Sequence, residues 1–483
     1  MTDQWNSPGV PPQGPPGGPP AGPPAQGPFG ADRGAGFGPP PGPNAYAPPQ
    51  VPVGPPPKGR SKGKVVVGAV AAVAVLAAGG FAVTRIVGDG GTSEPAGQAT
   101  PEELGEKLLV AFDDSDALAA AELLLPSERR ILTDPAFDLV DELERLEVLS
   151  DVDLEQVNGV DVQLSDTEVD VEETNADDIM HVTITGTAEV TVTGDEIPTG
   201  PIIDDELDEA EVSTEDSTTT EPFDLPLVGI EQDGEWFLSA GYTIAESIRQ
   251  LDVDDDTGEI PDIPTVQDAI APVGADSPDG AVEAMLDAVA DKDVEAMIAQ
   301  LDPGEFGALQ RYAPMFIDDA QEALDEEDFS LSITESDLRV EGDGDTREVF
   351  VEDIAMEIVE TGNETYVQYS DGCVSVESGD ETDEVCFTGD EVTAQLDDAL
   401  DQLENPEPAE DFIAAVQDAF SDFEVPGIVV TEVDGKWFVS PIGTFNGALL
   451  NVFEALDADE LREIIETGKE FYSSMVDEVD YGD

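Results

Sequence analysis

Few side chains in this sequence are suited to chemistry, and the first of them is a single histidine. His181 stands in an alternating run, His181-Val182-Thr183-Ile184-Thr185, which predicts a β-strand. A general base needs a partner that orients it, and a lone strand histidine is more often structural or exposed than catalytic. The sequence contains no Gly-x-Ser-x-Gly turn, Walker loop, dinucleotide fingerprint or His/Cys metal set. We therefore expect no catalytic residues and no cofactor.

The two cysteines, Cys373 and Cys386, are separated by twelve residues with Gly379 near the middle. A strand, a turn and a returning strand would bring their sulfur atoms within bonding reach across a hairpin. A redox-active dithiol favours a tighter spacing such as Cys-x-x-Cys, so this spacing predicts a structural disulfide. Disulfides persist in oxidising compartments, which favours an extracytoplasmic location for this part of the chain.

Two other patterns have competing interpretations. Residues 252–259 (DVDDDTGE) place Asp at alternate positions, as calcium loops do. A calcium loop needs glycine at its sixth place and Glu at its twelfth, where this sequence has Thr257 and Ile263. An acidic linker is the favoured interpretation, weak calcium binding stays open, and no metal site is assigned. Trp236 and Trp437 either line ligand pockets or fill the core. We favour the core, because alternate residues of one strand face opposite sides of its sheet.

The charge of the chain is extreme and unevenly distributed. Residues 1–85 carry a net charge of +4. The net charge of the whole chain is −93, so residues 86–483 carry −97. A surface of that sign repels nucleic acid, which excludes it as a partner of this part. The surface also repels itself unless salt screens it, which favours adaptation to a saline exterior over bulk cation binding.

The N-terminal part predicts a tail and a membrane segment. Residues 1–57 hold twenty of the 38 prolines, which predicts disorder, as a spacer or as a segment for proline-recognition modules. Residues 65–84 contain no charge over the length that a transmembrane helix needs. The positive-inside rule then predicts a cytoplasmic N-terminus, extracellular C-terminal domains and a single pass through the cell membrane, with bilayer contact through residues 65–87. The basic flank consists of Lys58, Arg60, Lys62 and Lys64.

Two copies of one pattern follow this segment. Each copy begins with a proline-initiated helix, an Asp-containing break and a second helix that ends at proline, and the copies match at an offset of 177 residues. The far ends match as well: residues 231–239 (EQDGEWFLS) and 432–440 (EVDGKWFVS) each predict a strand, an Asp-Gly turn and a strand with Trp. The paired positions of the near ends are Pro101 and Pro278, Asp114 and Asp291, Asp116 and Asp293, Leu124 and Leu301, and Pro126 and Pro303.

Between these ends, each copy contains stretches of alternating apolar and polar residues that predict strands. Helices followed by a meandering sheet indicate an α+β domain. The predicted fold class is therefore α+β, with a disordered tail, one transmembrane helix and two tandem domains. Residues 195–222 are expected to form an exposed loop. The predicted division is 1–57 (tail), 58–87 (basic flank and transmembrane helix), 98–252 (first domain), 253–269 (acidic linker), 270–457 (second domain) and 458–483 (acidic C-terminal tail). The residues after Asp457 have the pattern of an acidic amphipathic helix, through Leu461, Ile464, Ile465 and Phe471.

This arrangement resembles the NTF2-like (cystatin-like) superfamily, whose domains wrap helices into a curved antiparallel sheet and form a cone with a pocket. The matching residues are Pro101, Asp114, Asp116, Pro126, Asp233, Gly234 and Trp236 in one copy, and Pro278, Asp291, Asp293, Pro303, Asp434, Gly435 and Trp437 in the other. Both copies are longer than the compact family domain. The whole chain plan resembles single-pass envelope proteins of actinobacteria with tandem domains of this type.

The resemblance implies a fold but no single function, because the superfamily contains enzymes and non-catalytic domains. We expect a non-catalytic, membrane-anchored binding or scaffold protein of the cell envelope, whose partner is an envelope protein or a small ligand. The alternative is a carrier or sensor of a small apolar ligand in the cone pockets. A hydrolase or isomerase is the least supported function. Enzymes on this fold commonly use a His–Asp or Asp–Arg pair, and the only histidine here, His181, has no partner that the sequence indicates.

Overall fold

The computed structural model of the protein describes most of the chain that follows residue 96. The described residues are 97–152, 158–210, 216–251, 260–360, 362–370, 372–379, 381–386, 405–420, 423 and 425–478. The predicted tail, basic flank and hydrophobic segment, together with residues 252–259, lie outside them. We call residues 97–251 the first repeat and residues 278–454 the second repeat.

The first repeat begins with helices whose starts follow from local sequence. Thr100 accepts the backbone N–H of Glu103 and caps the first helix, and Asp116 caps the second in the same way. Pro126 begins a third helix, because the first turn of a helix has no use for the N–H that proline lacks. These helices are α1 (Pro101–Asp113), α2 (Ala117–Glu122) and α3 (Pro126–Arg145).

The described strands of the first repeat form one antiparallel sheet in the order β1-β2-β3-β4. They are β1 (Val160–Glu173), β2 (Ile179–Val192), β3 (Ser217–Gln232) and β4 (Glu235–Ser239). Helix α4 (Pro201–Glu209) precedes β3, and helix α5 (Ala240–Leu251) follows β4 directly. Residues 195–222, expected as a loop, therefore include a helix and the start of a strand.

The second repeat has the same beginning and end. Ser277 and Asp293 cap its first two helices at positions that correspond to Thr100 and Asp116, and Asp302 caps the third, where the first repeat has Leu125 and no side-chain cap. The helices are α6 (Pro278–Ala290), α7 (Val294–Ala299), α8 (Pro303–Tyr312), α9 (Ile317–Glu326), α10 (Glu407–Ala419) and α11 (Pro441–Glu454). The strands are β5 (Phe329–Glu341), β6 (Thr346–Glu360), β7 (Asn363–Ser370), β8 (Cys373–Ser378), β9 (Glu381–Cys386), β10 (Ile428–Val433) and β11 (Lys436–Val439).

The second sheet is larger because three strands are inserted into it. Its described strands run β11-β10-β6-β7-β8-β9, and β5 pairs with β6 as well. Strand β10 pairs only with the first residues of β6, and β7 pairs with Asp353–Glu360. In the first repeat one long strand, β3, covers β2 from Ile179 to Val192. Strands β7 to β9 therefore account for the greater length of the second copy.

The interior of each repeat is filled by its own side chains. Trp236 packs in the first repeat with residues such as Leu104 and Val182, which are fully buried. Trp437 packs in the second with Val282 and other buried aliphatic residues. Burial of this apolar area is the main favourable contribution to folding. Both tryptophans lie in the core, as favoured above.

The two repeats pack against each other in a reciprocal manner. The last helix of the first repeat, α5, contacts α8 of the second, and α11 of the second contacts α3 of the first. Ser127 and Gly304, which correspond at the 177-residue offset, are neighbours: a Cβ on Gly304 would lie 3.2 Å from Cβ of Ser127. This arrangement indicates an approximate two-fold relation between the repeats.

A last helix, α12 (Ala458–Glu478), extends beyond the second repeat and connects both repeats. It packs against α10. Lys469 on α12 contacts Glu206 at 2.6 Å and Glu209 at 2.5 Å, both on α4 of the first repeat, and Arg462 pairs with Glu147. The segment named the acidic C-terminal tail is therefore, from Ala458 to Glu478, a helix, as its pattern indicated, and it has ion pairs to the first repeat.

The predicted fold class needs a correction. The described structure is α+β with antiparallel sheets, and within the described residues no helix has both the length and the apolar composition to cross a membrane. The two helices that reach bilayer-spanning length, Pro126–Arg145 and Ala458–Glu478, carry charged residues throughout, and such residues are costly in hydrocarbon. Residues 65–84, where a transmembrane helix was predicted, lie outside the described residues.

Candidate functional site

The interface between the repeats contains the only histidine of the chain. Val182 on β2 points into the first core, so that its neighbour His181 faces the opposite side of the sheet, where α5 lies. The Nε2 atom of His181 lies 2.7 Å from Oε2 of Glu246 on α5. The histidine therefore has a carboxylate partner, which no short-range pattern in the sequence indicated.

Glu246 is the centre of a buried polar cluster. Its side chain is 2% exposed and accepts a bidentate pair from Arg249, with Nε at 2.7 Å and Nη2 at 2.6 Å. The hydroxyl of Tyr312, on α8 of the second repeat, also donates to it. Burial raises the pKa of Glu246, but the hydrogen bonds from His181, Arg249 and Tyr312 outweigh burial and lower that pKa to about 2. We call these four residues the Glu246 cluster.

The Glu246 cluster ties the two repeats together. Burial and the bond to the Glu246 carboxylate raise the pKa of Tyr312, so its hydroxyl stays protonated and keeps donating. The ring of Tyr312 also packs edge-on against Tyr242 of α5, with ring centroids 6.0 Å apart. At the position of Tyr312 the first repeat has Pro135, which cannot donate, so the cluster has no copy on the other side of the interface.

Each repeat also contains a buried or half-buried glutamate at the same position of its third helix. Glu128 on α3 is 8% exposed and receives hydrogen bonds from the hydroxyl of Ser239 and the backbone N–H groups that begin α5, including Ala240 N at 2.7 Å. Glu305 on α8 receives the corresponding bonds from Ser440 and the start of α11. Burial raises the pKa of both carboxyls, and the hydrogen bonds oppose it.

The sequence contains a signal for this pair. Glu128 and Glu305 correspond at the offset of 177 residues, and Ser239 and Ser440 are the last residues of the matching strand-turn-strand ends. Each carboxyl joins the third helix of a repeat to the start of its last helix, where unpaired N–H groups favour an acceptor. These two glutamates therefore position the helices that form the interface.

A cavity of about 580 Å³ lies between the repeats, and we call it the inter-repeat cavity. Its lining includes the charged residues Glu128, Asp178, Glu231, Glu305 and Arg311. Apolar residues complete it, including Leu125 and Ile230 of the first repeat, Ala308 of the second and Ile270 of the segment between them. Neither His181 nor Glu246 lines this cavity, so the histidine and its carboxylate do not face it.

Among the candidate site residues that the structure describes, His181, Cys373 and the two tryptophans do not line the inter-repeat cavity, whereas Pro303, one of the residues matched between the copies, does. Cys373 lies directly opposite Cys386 in the β8–β9 hairpin and is disulfide-bonded. Lys58, Arg60, Lys62 and Lys64, together with residues 252–259, lie outside the described residues. Within the described part of the chain, no group of three or more His, Cys, Asp or Glu side chains is placed to hold a metal ion.

The comparisons with known proteins give little support for any function. The chain matches no protein-family model and no curated protein. Among solved structures it is weakly similar to an "Ntf2 like protein involved in plasmid conjugation", at 12% identity over 51% of this chain and 86% of that chain. The TM-score of 0.12 is too low to carry an argument. The NTF2-like resemblance therefore stays a prediction from the residues matched in the sequence.

Proposed function

We propose that this chain is a non-catalytic binding or scaffold protein of the cell envelope, whose two repeats act as one unit on a partner protein or small ligand. The observation that carries the proposal is the joining of the repeats around the inter-repeat cavity, while both interiors are filled. A concave site with a few convergent polar groups between two structural units is a common form of binding site.

The state of His181 supports a role without catalysis. Glu246 holds Nε2 of His181 as an orienting carboxylate would, but neither residue lines the inter-repeat cavity, so the pair does not face a ligand bound there. Glu246 in turn is held by Arg249 and Tyr312. With these partners and a low pKa, Glu246 holds α5 and α8 together. Its carboxylate is poorly suited to exchange protons near neutral pH.

The alternative of an apolar-ligand carrier loses support from the filled cones. Such a carrier needs an open apolar space inside a repeat, but Trp236 and Trp437 occupy these interiors at 8% and 6% exposure. The inter-repeat cavity, by contrast, has charged residues in its wall. We therefore favour the binding or scaffold role.

The proposed location is the cell surface, with a cytoplasmic N-terminus and bilayer contact through residues 65–87. It rests on the basic flank, the acidic character of residues 86–483 and the disulfide of Cys373. Protease added to intact cells should cut the repeats and spare the proline-rich tail. Cleavage of the tail with protection of the repeats would show that the orientation is reversed.

The binding role can be tested by crosslinking the tagged full-length chain in intact cells and identifying bound proteins by mass spectrometry. Tyr312→Phe removes the inter-repeat hydrogen bond and should reduce the recovery of a specific partner, whereas Tyr366→Phe, on exposed β7, should not. Equal recovery with both variants would contradict a role for the joined repeats. A turnover activity lost in folded His181→Gln would contradict the non-catalytic assignment.

A further inference from the structure

The inter-repeat cavity has a buried cation in its wall that is not fully paired. Arg311, on α8, is 5% exposed, and its Nη2 donates to Asp178 at a long distance of 3.3 Å. Its Nε has no acceptor among the described residues. A buried N–H without an acceptor is costly and is rare in folded proteins, so it points to a missing partner. This N–H is enclosed, so the guanidinium has to turn before the N–H can reach a ligand in the cavity.

A second donor lines the same cavity. Tyr242 on α5 contributes to the wall, and its hydroxyl has no hydrogen-bond partner among the described residues. Burial raises its pKa to about 12, and the nearby Arg311 guanidinium only partly opposes this. The hydroxyl therefore stays protonated at neutral pH and is available to donate to a ligand acceptor.

The cavity also presents acceptors. The carboxylates of Asp178 and Glu231 are in its wall, and Asp178 has only the long contact to Arg311. Glu128 and Glu305 are less available, because hydrogen bonds from serine and backbone groups already occupy their oxygens. A ligand in this cavity thus meets hydrogen-bond donors together with carboxylates that are exposed to the cavity, beside apolar side chains.

Charge selects among the ligands that would match these groups. The wall has four carboxyl side chains and only one guanidinium, and the chain around the cavity is acidic. Both features repel an anion. A cation would satisfy Asp178 and Glu231 but would leave the N–H of Arg311 and the hydroxyl of Tyr242 without an acceptor. A neutral group with one carbonyl and one N–H satisfies both sets.

We propose that the inter-repeat cavity binds a neutral secondary amide, whose carbonyl accepts from Arg311 and Tyr242 and whose N–H donates to Asp178 or Glu231. A peptide backbone and the N-acetyl group of an amino sugar share this chemistry. The cavity volume of about 580 Å³ lies within the usual range for small-ligand sites, about 300–1,000 Å³. The inference deepens the proposed binding function and rests on it.

The test is calorimetric titration of the full-length chain with two neutral probes, N-acetyl-trialanine amide and the trimer of N-acetylglucosamine. We expect saturable binding of one or both probes, and the tighter probe identifies the source of the amide. Sodium acetate, which carries an anionic acceptor and no N–H, should not compete. Arg311→Lys should weaken probe binding about tenfold, as expected for the loss of a hydrogen bond from a charged donor.

The variants are chosen so that a folding defect is not mistaken for a binding defect. Tyr242→Phe removes one hydroxyl from the cavity and should weaken probe binding by about threefold to tenfold with an unchanged thermal midpoint. Arg339→Lys, at an exposed ion pair on β5, should bind the probes like the wild type. Equal weakening by Arg339→Lys and Tyr242→Phe would overturn the assignment to the cavity.

The wild-type chain separates failure of this inference from failure of the proposed function. If neither probe binds but crosslinking still recovers a partner in a Tyr312-dependent manner, the amide site is wrong and the binding function stands. If neither probe binds and no partner is recovered, both are overturned. Competition by acetate at the same concentration as the amide probes would also overturn the choice of a neutral ligand.

Discussion

Replacing Glu246 by Gln tests whether this buried carboxylate holds the two repeats together. The wild-type side chain is 2% exposed and pairs with Arg249, which is itself 9% exposed. Removing one charge of such a pair leaves the other buried without compensation, which typically costs about 3–5 kcal/mol. A folded domain has only about 5–15 kcal/mol of stability, so the urea midpoint at pH 7 should fall strongly.

The same carboxylate predicts a pH window for this effect. Burial opposes ionisation, yet hydrogen bonds from His181, Arg249 and Tyr312 lower the pKa of Glu246 from 4.5 to about 2 in the folded chain. A lowered folded-state pKa stabilises the fold above about pH 4.5, and this contribution disappears as the pH falls from 4.5 toward 2. At about 1.4 kcal/mol per pKa unit, it amounts to about 3 kcal/mol.

The assay compares the urea unfolding of the wild type, Glu246→Gln and Glu283→Gln between pH 7 and pH 2.5. Glu283 is exposed on α6 and controls for the loss of one negative charge. Acid also relieves repulsion among the many other carboxylates, so the informative quantity is the difference between variants at each pH. The Glu246→Gln deficit should shrink below pH 4.5, while Glu283→Gln should track the wild type. A deficit that is small at pH 7, or constant with pH, would refute the reasoning.

Three further outcomes follow from the charge, the interface and the disulfide. Molar sodium chloride should raise the thermal midpoint well above its low-salt value, because the acidic surface repels itself, and a melt that is indifferent to salt would contradict this. Arg145→Met should destabilise the chain by about 1 kcal/mol, since Arg145 donates to the carbonyls of Leu456 and Phe453 in a half-exposed position; an unchanged urea midpoint would argue against that contact. Dithiothreitol should lower stability by about 3 kcal/mol by opening the loop between Cys373 and Cys386, and Cys373→Ser should abolish the response to the reductant.

Local sequence was sufficient for the beginning and end of each repeat. Thr100 and Ser277 cap helices in the structure because a hydroxyl followed by proline and acidic residues satisfies free N–H groups within one turn. The Asp-Gly turns place Asp233 and Asp434 at positive φ, as their sequence predicts. Such features depend on contacts between residues a few positions apart, and the sequence states them directly.

The lengths of the sheets were less accessible from the sequence. The stretch 195–222 is acidic and rich in threonine, which predicted a loop, yet β3 begins at Ser217 and pairs with β2 along its whole length. Pairing with a long partner strand outweighed the weak local preference, because strand propensity depends on what lies beside the strand. In the second repeat β7 pairs with the second half of β6 instead, and β8 and β9 extend the sheet beyond it.

By itself, the sequence determined that the chain contains two copies of one α+β pattern with an acidic surface, since repetition, capping and charge are properties of order along the chain. Only the tertiary structure decided which residues of the two copies contact each other. The partner of His181 is 65 positions away, Tyr312 reaches Glu246 from the other repeat, and Arg311 lies at the wall of a cavity that neither repeat forms alone. These contacts depend on how two folded surfaces pack in space, and no periodicity within one copy records that geometry.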